Sequence, residues 1–144
     1  MSERPAVSRA GPRRRLALRE LVAAAEKSRA MAHAPYSRLR IGAALLADDG
    51  RIFTGSNVEN ASYGLTVCAE RVALWNAVSQ GAREFVALAV AGPARRATAP
   101  CGACRQVLAE FSPDLPVRYR ERGGRWVTRR LRALLPSAFS LRSR

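Results

Sequence analysis

The sequence predicts an α/β fold, a three-layer α-β-α arrangement in which helices cover both faces of one mixed sheet of about five strands. Three observations carry this expectation. Helical and strand-like segments alternate in the order α-β-β-α-β-α-β-β-α. Asp48-Asp49-Gly50 is a strong turn signal between two strand-like runs. The chain has 144 residues, 48% apolar and 25% charged, which suits one core burying about two thirds of the unfolded surface.

Residues 1–15 contain two prolines, one glycine and little apolar material, and read as a flexible basic arm. From residue 16 to 32 the pattern is helical. Leu18, Leu21, Val22, Ala25 and Ala32 share a face, with Glu20, Lys27 and Arg29 largely off it, and Pro35 limits any continuation. Residues 40–47 and 51–58 read as the two strands of the hairpin, and 59–67 as a loop. A helix is expected from about Cys68 to Gln80, with Gly81 as its stop. Residues 85–91 form a short apolar run, the signature of a buried strand. A second helix runs from about Cys101 to Phe111, ended by Ser112-Pro113. Residues 117–121 and 125–128 read as late strands around Gly123-Gly124, and 129–135 as a short helix stopped by Pro136. The domain expected is 16–139, between the arm and a short basic tail at 140–144.

The net charge of +14 is not evenly spread. Residues 1–19 carry +5, residues 20–114 carry +1 and residues 115–144 carry +8. The basic residues are 24 Arg and one Lys, a bias that a GC-rich coding sequence produces without selection for a ligand. The charge therefore reads as solvated, and nucleic acid is not an expected partner. No apolar run reaches the 18 residues of a membrane span, and no unbroken apolar stretch near the N-terminus suggests a secretory signal. An odd count of three cysteines does not suit a disulfide framework, so a cytoplasmic location is expected.

The cysteines fall in two pieces, Cys68-Ala69-Glu70 and Pro100-Cys101-Gly102-Ala103-Cys104, each where a helix is expected to begin. Unpaired N–H groups and the helix dipole favour an anion there, so a thiol ionises more easily. Three thiolates gathered this way suit Zn²⁺, and three ligands rather than four leave a position for water. The single histidine, His33, reads as an exposed helix-end residue rather than a fourth ligand. Three buried small residues, or a redox pair at Cys101 and Cys104, are the other readings of the thiols. Neither needs an acid two residues after Cys68. Glu70 beside a metal suits proton transfer in a metal-assisted hydrolysis.

With these motifs the chain resembles the small three-cysteine cytidine deaminases of pyrimidine salvage. The resemblance covers residues 16–139. It rests on APYSRLRIGAALLADDGRIFTGSNVENASYG, CAERVALWNAVSQG, PCGACRQVLAEF and LLPSAF. It implies one Zn²⁺ on Cys68, Cys101 and Cys104, with Glu70 as proton shuttle and the Ala69 N–H on the pyrimidine carbonyl. It implies that Asn57 and Glu59 hold the ribose 3′-hydroxyl, and that Arg71 hydrogen-bonds the thiolates. It further implies a homotetramer, in which Tyr63 and Phe139 reach a neighbouring subunit's site. One departure stands out: Leu39 occupies a position where the family usually has an aromatic ring against the base. The activity implied is hydrolysis of cytidine and deoxycytidine to the uridine forms and ammonia. Leu39 keeps another cytosine nucleoside, such as blasticidin S, as an alternative substrate. The basic ends keep a nucleic-acid-binding or editing module as an alternative role.

Overall fold

A computed structural model of the protein describes residues 12–142. Helix α1 spans Pro12–Ser28 and ends in a 3-10 turn, Arg29–Met31. Strands β1 (Gly42–Ala47) and β2 (Ile52–Ser56) follow, then a 3-10 turn at Tyr63–Leu65 and helix α2 (Ala69–Ser79). Strand β3 (Phe85–Ala91), helix α3 (Gly102–Ala109), strands β4 (Pro116–Arg120) and β5 (Trp126–Arg130) and helix α4 (Leu131–Leu134) complete the order.

The five strands form one sheet in the order β2-β1-β3-β4-β5. Only β3 and β4 are parallel, because the chain between them crosses over through α3. Helix α1 lies on one face. Its Leu21 and Ala25 are fully buried against Ala44, Ala87, Ala89 and Ala91 of the sheet. The other face carries the larger core. There α2 and α3 pack through Ala69, Ala73, Leu74, Ala77 and Leu108 onto Leu45, Phe53, Leu88, Val90 and Val117. The predicted three layers are therefore present.

Two glycines set how closely the layers approach. A Cβ on Gly42 would strike the Ala25 carbonyl of α1. A Cβ on Gly55 would strike the backbone of α2 at Ala69 and Ala73. Gly55 thus lets the start of α2 sit directly on β2, and the site is built at that start.

Differences from the expected elements have local causes. Helix α1 begins at Pro12, inside the stretch read as an arm, because proline is well suited to a first helical turn and the arginines after it are good helix formers. Residues 1–11 of that arm and 143–144 of the basic tail lie outside the described residues. Strand β1 begins at Gly42 rather than Arg40. The Ile41 N–H there donates to the Asn57 side chain, at 2.8 Å, in place of a ladder partner. Arg129 and Arg130 belong to β5, not to the last helix, because they pair with Val117 and Pro116.

Candidate functional site

The two cysteine pieces meet outside the C-terminal end of β3, where open α/β sheets commonly place their ligands. Cys68 is the N-cap of α2 and Cys101 the N-cap of α3, both with extended backbone. Cys104 follows one turn into α3 and is fully buried. The three sulfurs lie within 4.8 Å of one another. Cys68 Sγ is 3.7 Å from Cys101 Sγ, and Cys101 Sγ is 3.4 Å from Cys104 Sγ. Tetrahedral Zn²⁺ with Zn–S bonds of about 2.3 Å needs sulfurs about 3.8 Å apart, so the triangle fits the ion. Among the described residues no fourth His, Cys, Asp or Glu joins this group. His33 is exposed and engages Asn57 and Glu59 through its backbone.

Charge around the sulfurs is arranged for thiolates. Arg71 Nη2 donates to Cys68 Sγ at 3.6 Å. The neighbouring Cys104 thiol, with the Arg71 charge, pulls Cys68 down to about 5. The neighbouring Cys68 sulfur, burial and the Glu70 charge push the Cys104 thiol up. A divalent cation among the sulfurs would favour the thiolate at each of them, as expected of a metal-binding cluster.

Glu70 occupies the first turn of α2 and is 5% exposed. Its Oε2 accepts from Cys104 Sγ at 3.2 Å. Burial pushes this carboxyl up to about 7; the Cys68 charge adds to the rise and the Cys104 hydrogen bond opposes it. The group is therefore poised to gain and lose a proton near neutral pH, as general acid–base chemistry requires. Ala69 is buried beside it at the helix start. The first hydrogen bond from the α2 backbone back to the cap is Val72 N to Cys68 O, at 3.2 Å. The Ala69, Glu70 and Arg71 N–H groups precede it and have no helical partner.

At the exit of β2 the polar side chains hold backbone. Asn57 Oδ1 accepts from Ile41 N at 2.8 Å, and its Nδ2 donates to Leu39 O at 2.7 Å. One Nδ2 hydrogen remains. The Glu59 carboxylate, 8% exposed, accepts from Ser37 N and Ser37 Oγ, each at 3.2 Å to Oε1. Ser37 Oγ accepts in turn from Leu39 N at 3.0 Å. Asn57 and Glu59 thus fix the loop that carries Leu39, which is half-buried.

Tyr63 and Phe139 are not folded into this site. They are 82% and 71% exposed, and neither packs into the core of its own chain. The Phe139 carbonyl accepts from Gln106 Nε2 of α3 at 3.0 Å, which ties its segment to the helix bearing Cys104. Sequence reasoning did not single out Ser37, Gln106 or Arg105. Arg105 donates through Nε to Pro100 O and through Nη1 to Leu134 O, both at 2.8 Å. It clamps the loop that presents Cys101. Its position immediately after Cys104 is the one sequence signal it offers.

The model of the cytidine and deoxycytidylate deaminase zinc-binding region matches residues 16–117. A cytidine deaminase of Sporosarcina psychrophila is 48% identical over 122 residues, 84% of this chain and 90% of that one. A cytidine deaminase of Halalkalibacterium halodurans is 49% identical over 121 residues, 83% and 92% of the two chains. The crystal structure of cytidine deaminase from Burkholderia pseudomallei superposes with a TM-score of 0.79 at 48% identity, covering 84% of this chain and 98% of that one. The cytidine deaminase structure from Mycobacterium tuberculosis gives 0.77 at 44% identity, covering 86% and 98%.

Proposed function

The chain belongs to the cytidine and deoxycytidylate deaminase family, and from that premise we propose that it hydrolyses cytidine and deoxycytidine to uridine and deoxyuridine with release of ammonia. The observation that carries this reading is the triangle of sulfurs with the Glu70 carboxylate 3.2 Å from Cys104 Sγ. Cys68, Cys101 and Cys104 hold one Zn²⁺ per chain. Held there, Zn²⁺ supplies a Lewis acid that brings the pKa of water toward neutrality. Arg71 offsets the anionic charge of the sulfurs and keeps the cluster from becoming too electron-rich.

Glu70 moves the protons. Water forms the new C4–O bond, and Glu70 passes one of its protons to N3 of the pyrimidine. The other goes to the exocyclic amine, the C4–N bond breaks, and ammonia leaves. The Ala69 N–H, free of a helical partner, meets the pyrimidine carbonyl. Glu59 and the remaining Asn57 hydrogen meet the ribose 3′-hydroxyl, and Leu39 packs on the base. The catalytic domain is taken as residues 16–139.

The oligomer proposed is a homotetramer. The exposure of Tyr63 and Phe139 supports it, since two large rings at the surface suit an interface rather than a lone subunit. Phe139 of one subunit stacks on the base held by another, and Tyr63 lines the ribose end. A place in pyrimidine salvage follows from the nucleoside substrate. A cytoplasmic location is supported by the need for reduced thiols.

Glu70→Ala is expected to lower turnover of cytidine by about 10²–10⁴-fold while zinc stays at one per chain. Near-native turnover in that variant overturns the mechanism. Leu39 favours a second reading, with another cytosine nucleoside as the better substrate. An ultraviolet assay comparing cytidine, deoxycytidine and blasticidin S decides between them.

A further inference from the structure

The face of the sheet turned away from the cysteines carries a concavity. It measures about 460 Å³ and lies between α1 and the β4–β5 hairpin. Arg15, Arg19 and Arg118 line it, over Leu18, Val22 and Trp126. Its origin is the alternation along β4. Val117 and Tyr119 point into the core under α2 and α3, which sends Arg118 and Arg120 to the α1 face. Arg120 pairs across the hairpin with Trp126, and Arg118 with Thr128. The two guanidiniums lie 4.5 Å and 5.7 Å from the centre of the Trp126 ring. Arg15 and Arg19 stand one helical turn apart on α1, so both face the same side.

Neutralisation is missing here. Among the described residues, Arg15, Arg19, Arg118 and Arg120 take part in no ion pair; the arginines of the same hairpin that do, Arg125, Arg129 and Arg130, are not among those lining the concavity. Arg118 Nη1 donates to Thr128 Oγ1 at 3.3 Å, and burial alone pushes its guanidinium below the ordinary value, with no anion opposing. Arg120 Nη1 donates to Gly124 O at 2.8 Å, while its Nε is buried without a partner. Three cations thus converge on an apolar floor with no carboxylate between them. That arrangement suits a ligand with several negative charges at one end and a flat apolar body at the other. Guanidinium forks match phosphate oxygens, and an indole beside them is a platform for a base. The volume falls within the usual range for small-molecule sites, about 300–1,000 Å³.

We propose that this concavity binds a nucleoside di- or triphosphate, with its phosphates on Arg15, Arg19 and Arg118 and its base against Trp126, Leu18 and Val22. The site is separate from the cysteine centre and stands whether or not the deaminase reading holds.

The test is calorimetric titration of the zinc-loaded full chain with ADP at physiological salt. One ADP per chain is expected, weakened about tenfold or more by Arg19→Ala and by Arg118→Ala. Trp126→Phe is expected to weaken ADP while leaving inorganic pyrophosphate unchanged. Arg19 is exposed on α1, so its variant keeps the fold, checked by melting temperature and zinc content. Failure to saturate overturns the proposal, as does undiminished, wild-type affinity for ADP in both arginine variants. Pyrophosphate binding as tight as ADP overturns it by showing that no base is read. A single-stranded oligonucleotide that outcompetes ADP, with affinity falling steeply as salt rises, overturns it in favour of a polyanion surface.

Discussion

The site has two poles that differ in what their polar side chains do. At the starts of α2 and α3, Cys68, Cys101, Cys104 and Glu70 contact one another and Arg71, and their hydrogen bonds hold no backbone elsewhere. At the exit of β2, Asn57 and Glu59 hold the backbone at Ile41, Leu39 and Ser37. The first pole is chemistry mounted on a frame that other residues supply, chiefly Gly55, the buried alanines of α2 and Arg105. The second pole is frame and, in the proposed reading, binding surface at once. Substitutions at the first pole should therefore remove activity with little loss of fold, and substitutions at the second should lower both.

The largest effect is expected from Cys104→Ser. Losing one of the three proposed zinc-holding sulfurs should release zinc and remove turnover of cytidine, while circular dichroism still reports the folded sheet. Retention of one tightly bound zinc by this variant would break the comparison on its metal side. Asn57→Ala comes next. It leaves Ile41 N and Leu39 O without their partners and is expected to cost about 1–3 kcal/mol of stability by urea denaturation, together with a raised KM. Full stability with a raised KM would show that Asn57 serves the substrate alone. Glu59→Gln should loosen the 33–39 loop and lower kcat/KM by about tenfold or more, with zinc content unchanged. The smallest effect is expected at Leu39→Phe. A ring in place of leucine should strengthen binding of the base by about 1 kcal/mol, read as a lower KM for cytidine. A higher KM would show that the pocket is shaped for leucine.

Much of this division was legible in the sequence. Cys68 and Cys101 declared themselves as helix starts, since each precedes a helical run, and Cys104 follows Cys101 by one turn. The hairpin turn at Asp48-Asp49-Gly50 and the apolar run 85–91 located three strands of the sheet. What stayed hidden is non-periodic. The Ser37–Glu59 hydrogen bonds join loops 22 residues apart, and Arg105 reaches Leu134 across 29 residues. Neither leaves a pattern in hydropathy. The start of α1 was missed because Pro12 reads as a breaker unless its place in the first turn is known. The arginine cavity was obscured for a different reason. Its cations come from both basic ends of the chain, and only the fold brings Arg15 and Arg19 beside Arg118.

Zinc-edge X-ray absorption on the metal-loaded protein tests the central claim most directly. Three sulfur scatterers at about 2.3 Å and one lighter atom are expected, the signature of a cation gripped by Cys68, Cys101 and Cys104 with one position left for solvent. Four protein ligands, or fewer than three sulfurs, would contradict it.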